Sequence, residues 1–419
     1  MFFSKDNKSV LLIVIILGFI SLIFAAYSGE DALGGARYDY LFHEKYIMSF
    51  SENFNHAIND FGGNYEVRNS PVFFIYSSYF LKFGIDIKYF KYFNLVFLIP
   101  LIIFFLKSLD LKYEKLNIYT KCFLLTIIFI SPTIRSLSAW PYPLTWAICF
   151  FLISIFYFLK FQKNKVKSKK IKYSILNISF LALSAYFTPN FGIFSIFYFF
   201  YFFKYFKLTK YSFLMIFINI ALSLPAIYFL ISKDFYLFRH EANHVISNYT
   251  IYDTLNISNK IIIISSIFFF FFIPLIELKK TKIKLESFTF VHLIILLFFL
   301  INIFFFNFSK GLGGGLFYHL SIMLFDGPNL LFFIFGISLF IFSKYGLFNS
   351  QNIFLFIILL IYNIQSTIYY KYYDPIIFFM ILFLIKLNFN LDINKISKKY
   401  FFFYLFFLAI SYGKALVTY

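Results

Sequence analysis

An all-α polytopic membrane bundle is the fold class this chain predicts, and three observations predict it. The residues are 61% hydrophobic and only 14% charged, and the mean hydropathy is +0.79. Apolar runs of about 14–20 residues recur along the whole length, close to what a helix needs to cross ~30 Å of hydrocarbon. Short lysine clusters separate some of these runs and read as loops held on the cytoplasmic side. The net charge of +19 follows from those clusters, so nucleic acid is not an expected partner. The 71 Phe residues read as lipid-facing and interhelical bulk rather than as a cofactor box.

The elements follow in order. The first apolar run, 9–27, comes after Lys5 and Lys8 and lacks a small-residue cleavage site, so it reads as a retained helix running outward. Residues 28–91 then lie outside. Spans are predicted at 92–107, 119–131, 142–160, 174–187, 191–203 and 211–231, and further on at 261–276, 288–306, 329–343, 353–368, 375–387 and 400–413. With the first, that makes about 13 transmembrane helices, with the N-terminus inside and the C-terminus outside. The cytoplasmic anchors are Lys160 to Lys172, Lys204 to Lys210, Lys279 to Lys284 and Lys395 to Lys399.

One apolar run stays off that path. Pro71 to Phe83 would make a helix of only ~20 Å, too short to span, and counting it as a crossing would put the basic loops outside. It reads as a helix on the outer face. The whole chain reads as a single membrane domain, 1–419, without a soluble domain, linker or internal repeat. Cys122 and Cys149 both sit in apolar runs and offer neither a disulfide framework nor a cysteine metal site. Preference for Lys over Arg, and for Phe and Ile over Ala, is the usage of an AT-rich bacterial genome.

The most informative stretch is the polar loop from Ser28 to Ser70. It holds seven of the 19 acidic residues: Glu30, Asp31, Asp39, Glu44, Glu52, Asp60 and Glu66. At its centre Asp39 and His43 are four residues apart, on one face if the segment is helical. A carboxylate beside an imidazole suits proton abstraction from a hydroxyl, or a grip on a metal. An ordinary solvated loop would have the same spacing.

Four further motifs stand out. Ser131-Pro132-Thr133-Ile134-Arg135-Ser136 breaks a span and is followed by Ala139-Trp140-Pro141-Tyr142-Pro143. An Arg at a broken helix end among hydroxyls suits a phosphate, although a snorkelling Arg with an interfacial Trp reads the same way. Tyr369 to Pro375 places Lys371 among tyrosines on the side poor in cations, which suits an anionic ligand; an aromatic belt is the plainer reading. Gly311 to Gly315 lacks the strand–helix context of a phosphate cradle and reads as a loop or lid. His240-Glu241-Ala242-Asn243-His244 matches the zinc-binding pattern His-Glu-x-x-His, with Asp326 as a third ligand, but loop-like flanks weaken it.

Together these residues resemble the GT-C superfamily of membrane glycosyltransferases, which take a sugar from a polyprenyl-phosphate donor. The resemblance rests on Asp39 in Tyr38-Asp39-Tyr40-Leu41-Phe42-His43, on Asn69-Ser70-Pro71 opening the short surface helix, and on Lys91-Tyr92-Phe93-Asn94 at the next span. The Ser131-Pro132 break and the Lys371-Tyr372-Pro375 cluster add to it. Asp-x-x-Phe-His is similar to Asp-Glu-x-Phe-His of one glucosyltransferase branch, near glycosyltransferase family 39. Tyr40 departs by replacing a frequent second acid, and Pro143 stands where an Asp is common. The likeness covers residues 1–205 as a GT-C-like module whose catalytic first loop is 28–91. Residues 206–419 follow by topology alone, as variable C-terminal helices.

The resemblance implies an inverting hexosyltransferase at the periplasmic face of a bacterial inner membrane. Asp39 would deprotonate the acceptor with His43 beside it, Arg135 and Lys371 would hold the donor phosphate, and Tyr40, Asn69, Trp140 and Tyr372 would line the substrates. Its partners would be a polyprenyl-phosphate-linked sugar and a glycan or glycolipid acceptor in the bilayer. No cofactor is required by the motifs, but the acid-rich loop with His240 and His244 would suit a divalent cation (Mg²⁺, Mn²⁺ or Zn²⁺). Alternatives are an O-antigen-type polymerase, a membrane zinc metalloprotease built on His240-Glu241-x-x-His244, and a lipid or solute transporter. The polymerase lacks its expected run of late-loop arginines, with only Arg239 there. The transporter lacks intramembrane charge, His292 apart, and an inverted repeat.

Overall fold

A computed structural model describes residues 5–32, 35–61, 69–113, 116–232, 256–276, 290–308, 313–363, 368–387 and 392–418. These residues form helices and connecting turns, with no strand among them. The chain divides into two units, one of Met1–Leu237 with Ile393–Tyr419 and one of Phe238–Asp392.

The first unit opens with α1 (Lys5–Ser28). Leu12, Ile13, Ile16, Leu17, Ile20, Ile23 and Phe24 remain exposed along it, an apolar face of the kind hydrocarbon solvates. After a short turn come α2 (Ala36–Glu52), α3 (Phe54–Asp60) and α4 (Pro71–Lys82). At 12 residues α4 is about 18 Å long, so the second apolar run is a short helix, as its length predicts. Ser70 caps it and Pro71 opens it, where the missing N–H costs nothing. Next are α5 (Ile87–Asn94) and α6 (Leu98–Lys112), continuous as one helix through a 3₁₀ turn.

The expected break falls at Ser131. Helix α7 (Ile118–Ile130) and helix α8 (Pro132–Ala139) meet at an angle of 51°. Pro132 cannot donate to the preceding turn, and the Ser131 hydroxyl accepts from Ile134 N–H at 3.2 Å to start the new helix. Helix α9 (Pro143–Lys163) is apolar all round and most of it is buried, which makes it the core of this unit. It packs along α10 (Lys167–Phe187). A 3₁₀ turn, α11 (Phe194–Phe206) and α12 (Lys210–Ser232) complete the run. The unit extends beyond residue 205, and the last helix of the chain, α19 (Ile393–Thr418), belongs to it. Asn394 Oδ1 accepts from the Thr120 hydroxyl at 2.7 Å, and the Phe123 and Phe401 rings lie 5.3 Å apart.

The second unit consists of α13 (Ile257–Phe272), α14 (Phe290–Phe304), α15 (Gly315–Phe325), α16 (Asn329–Lys344), α17 (Ser350–Tyr362) and α18 (Ile376–Phe379), which runs on into a π-helical turn, Met380–Leu384. Helix α13 is its buried centre.

Among the described residues five helices are long and apolar enough to cross a membrane, or six if the bent α7–α8 pair counts as one span. This is the architecture of a helical membrane protein. Shorter apolar helices such as α16 and α17, of 16 and 13 residues, stand outside that count.

Candidate functional site

Of the residues singled out in the first loop, Tyr40, His43 and Asn69 come together with Trp140 and Tyr142 in the first unit, and Glu66 lies outside the described residues. Helix α2 is the organising element. Its buried residues Ala36, Tyr40, His43, Ile47 and Phe50 recur at helical spacing, so one stripe of an otherwise polar sequence faces the bundle. Asp31 anchors its start, with Oδ2 accepting from Gly35 N–H at 2.9 Å and Arg37 N–H at 3.1 Å. Gly35 itself holds the left-handed conformation at φ 100° that turns the chain into the helix.

His43 is buried in an aromatic box. Its ring lies 4.7 Å from Tyr142, 5.2 Å from Phe74 and 6.0 Å from Phe73, centroid to centroid. Asn69 Nδ2 approaches His43 Nε2 at 3.2 Å. The amide nitrogen donates, so Nε2 is the acceptor of this bond. One helical turn earlier, half-buried Asp39 occupies the first turn of α2. There a carboxylate is favoured by the helix dipole.

Trp140 ties this helix to the turn after the broken span. The Tyr40 ring is 5.8 Å from it and the Arg37 guanidinium stands 5.7 Å from its centroid. The indole N–H donates to the Gly29 carbonyl at 3.3 Å. A β-carbon at Gly29 would come within 3.1 Å of the indole, and its φ of +65° is a glycine conformation, so the contact requires glycine. Asn94 then fixes the turn from behind. It donates to the Leu137 carbonyl at 3.0 Å and accepts from Trp146 Nε1 at 2.6 Å, all buried. Lys91 Nζ donates to the Ala26 carbonyl at 2.6 Å.

Arg135 has its donors engaged within the protein. Nε and Nη2 meet the two Glu30 oxygens at 2.7 and 2.6 Å, and Nη1 donates to Ser21 Oγ at 2.6 Å. A phosphate reaching this guanidinium must displace Glu30.

The acid-rich loop holds a second feature that the spacing of Asp39 and His43 concealed. Glu44, one turn after Tyr40, has its carboxyl pushed up from the ordinary value, first by burial and then by the nearby charge of Asp86. The Tyr40 hydroxyl is pushed up too, by burial, then by Glu44 and Asp86. Asp86 caps α5 and pairs with Lys88 at 2.9 Å, and the Lys88 N–H bond draws its own carboxyl down. Two carboxylates therefore border the Tyr40 side of the site. The sequence signal for Glu44 was its i,i+4 relation to Tyr40; for Asp86, 42 residues on from Glu44, there was none.

Lys371 and Tyr372 belong to the second unit. Lys371 Nζ lies 5.5 Å from the Tyr369 ring centroid and 5.7 Å from that of Tyr372, which is itself buried. His240, Glu241 and His244 lie outside the described residues. Among the described residues no three metal-ligating side chains cluster. Asp326, the proposed third ligand, is exposed at the end of α15.

Compared with protein-family models, curated proteins and solved structures, the chain matches none of them.

Proposed function

We propose that the protein is an inverting membrane glycosyltransferase of GT-C type, moving a sugar from a polyprenyl-phosphate donor to a glycan or glycolipid acceptor at the periplasmic face of a bacterial inner membrane. The observation that carries this reading is the convergence on α2. Asp39 and His43, Asn69 before α4, and Trp140 with Tyr142 after the broken span are widely separated in sequence, yet they form one half-buried patch. This is the end of the first unit that the lysine distribution puts outside. In this topology the Lys160 to Lys172 turn faces the cytoplasm, α4 lies on the outer surface, and the remaining helices supply about 13 spans.

In the reaction the acceptor hydroxyl attacks the anomeric carbon as the bond to the donor phosphate breaks. Asp39 takes the hydroxyl proton, as a general base within hydrogen-bond reach does. His43, bonded to Asn69, positions the helix and the acceptor. The leaving phosphate calls for preorganised positive charge, a part assigned in the first unit to Arg135, through exchange with Glu30. Tyr40 and Trp140 offer the aromatic surfaces on which a sugar ring rests. A divalent cation, if the reaction uses one, would screen the same phosphate. Glu44 is the rival base, because its raised carboxyl sits nearer the working range of a base at neutral pH.

Mass spectrometry of lipids co-purified with the protein, together with transfer from that lipid-linked sugar by wild type and Asp39→Asn, tests the reading. A bound polyprenyl-phosphate sugar whose transfer depends on Asp39 is the expected result. Lipid extracts without any glycosylated polyprenyl phosphate, and no transfer from supplied ones, overturn it.

A further inference from the structure

The turns that join α9 to α10 and α11 to α12 lie side by side at one end of the first unit. Phe161, near the end of α9, brings them together, its ring 5.3 Å from Tyr205 and 5.9 Å from Phe206 at the end of α11. Ten lysines fall from Lys160 to Lys210, and the sequence holds no Asp or Glu anywhere between Glu114 and Asp234. Among the described residues none of the ten has an ion-pair partner.

Aromatic rings hold the lysines instead. The Lys170 ammonium stands 3.8 Å from the Tyr205 ring centroid and 4.9 Å from that of Phe161, and Lys160 stands 4.8 Å from Phe156 and 5.5 Å from Tyr173. Lys167 and Lys210 share one ring, at 4.8 and 5.6 Å from the Tyr211 centroid. These two cations therefore lie within about a screening length, ~10 Å, of each other. A ring face fixes an ammonium group without neutralising it and leaves N–H donors for an oxygen anion. Nor do the lysines serve their own helices. Lys167, Lys169 and Lys170 occupy the first turn of α10 and Lys210 begins α12, the ends where the helix dipole disfavours cations.

Two further observations choose the anion. Each turn carries an aliphatic tip beside its lysines, Val166 at 52% exposed and Leu208 at 78% exposed. One turn further along the helices Phe200 and Phe213 are exposed as well, so the cations sit at the rim of a surface suited to hydrocarbon. A soluble anion would leave these side chains in water. A lipid offers a charged head at the rim and a chain beside it.

We infer that this end of the first unit is a binding surface for anionic phospholipid, with Lys167, Lys170 and Lys210 on the head-group phosphate and Val166 and Leu208 among the acyl chains. That the lipid belongs to the cytoplasmic leaflet rests on the topology proposed above; the binding itself does not.

Titration of the full-length protein in detergent with a fluorescent phosphatidylglycerol tests this. Saturable binding is expected, competed by unlabelled phosphatidylglycerol but not by phosphatidylethanolamine, and weakening as salt rises. Lys167→Gln with Lys170→Gln and Lys210→Gln should weaken it by about 100-fold, about fivefold for each lysine. Val166→Ser with Leu208→Ser should weaken it too. Lys45→Gln with Lys82→Gln removes two exposed cations elsewhere in the unit and should leave it unchanged. Equal competition by phosphatidylethanolamine, unchanged affinity in the lysine triple variant or the Val166 and Leu208 pair, or an equal loss in the Lys45 and Lys82 pair overturns the inference. So does release of the lipid by inorganic phosphate beyond that by chloride at matched ionic strength, which would mark a site for free phosphate. If a variant fails to fold, the competition and release experiments on wild type decide. No sugar transfer is read, so loss of the glycosyltransferase reading would leave the result unaffected.

Discussion

The Arg135 guanidinium lies edge-on to the Glu30 carboxylate, with Nε and Nη2 at 2.7 and 2.6 Å from its two oxygens. The side chains are only 12% and 7% exposed, so the pair is largely withdrawn from solvent. It joins the turn after α1 to α8, 105 residues later, and thereby sets where Trp140 meets α2.

Removing one member of this pair should cost more than removing both. Arg135→Met leaves the Glu30 carboxylate buried and unpaired, a loss of about 3–5 kcal/mol for a buried pair broken on one side. Arg135→Met with Glu30→Gln should recover most of it. Thermal unfolding in detergent measures both. If Arg135→Met leaves the melting temperature unchanged while donor KM rises, the guanidinium acts on the donor and not on the fold.

Asp39→Asn should lower transfer by at least ~10²-fold with expression and unfolding unchanged, since the amide keeps the shape and removes the basic oxygen. Asp60, half-buried and 3.3 Å from His56 Nδ1, serves as the control. Asp60→Asn should retain most activity. An Asp39→Asn protein that keeps more than about a tenth of wild-type transfer would remove Asp39 from the base role.

Glu44 makes a prediction in pH. Its carboxyl is raised in the folded protein, so its contribution to stability is complete below the unfolded value, about 4.3, and is lost as pH rises through the folded one. Glu44→Gln should therefore be neutral or stabilising at neutral pH. The difference between variant and wild type should shrink on acidification to about pH 4. Melting curves across that range read the sign directly. A transfer rate that collapses in Glu44→Gln while Asp39→Asn stays active would hand the base role to Glu44.

Lys371→Met keeps the apolar stem and removes the cation. Donor KM should rise by roughly 10- to 100-fold, the equivalent of about 1.5–3 kcal/mol for a charge-assisted bond. An unchanged KM would leave Lys371 as an anchor on Tyr369 and Tyr372.

Topology is testable without any substrate. With Cys122 and Cys149 replaced, Lys165→Cys should react with an impermeant thiol reagent only after permeabilisation. Tyr79→Cys, at an exposed position on α4, should react in intact spheroplasts. Reaction of residue 165 in intact spheroplasts would reverse the orientation and with it the periplasmic site.

Composition and periodicity alone determined the helical membrane class, because backbone in hydrocarbon must close its bonds in helices or a barrel, and long continuous apolar runs suit the helix and not alternating barrel strands. Local chemistry was equally legible. Pro132 after Ser131 breaks the span wherever it is placed, Ser70-Pro71 starts a helix, and the shortness of the next apolar run limits its reach. Asp39 and His43 could be placed on one face because i,i+4 spacing is a property of the helix itself. Tertiary structure decided what no local pattern encodes. The same Arg135 reads as a phosphate ligand in sequence, and its bond to Glu30 exists only once α1 and α8 are packed. Asp86 comes to bear on Glu44 and Tyr40 only when α5 folds beside α2, and the return of α19 to the first unit depends on partners such as Thr120. Charge partners and cavities are set by contacts between distant segments, whose free energies depend on the burial that the fold creates.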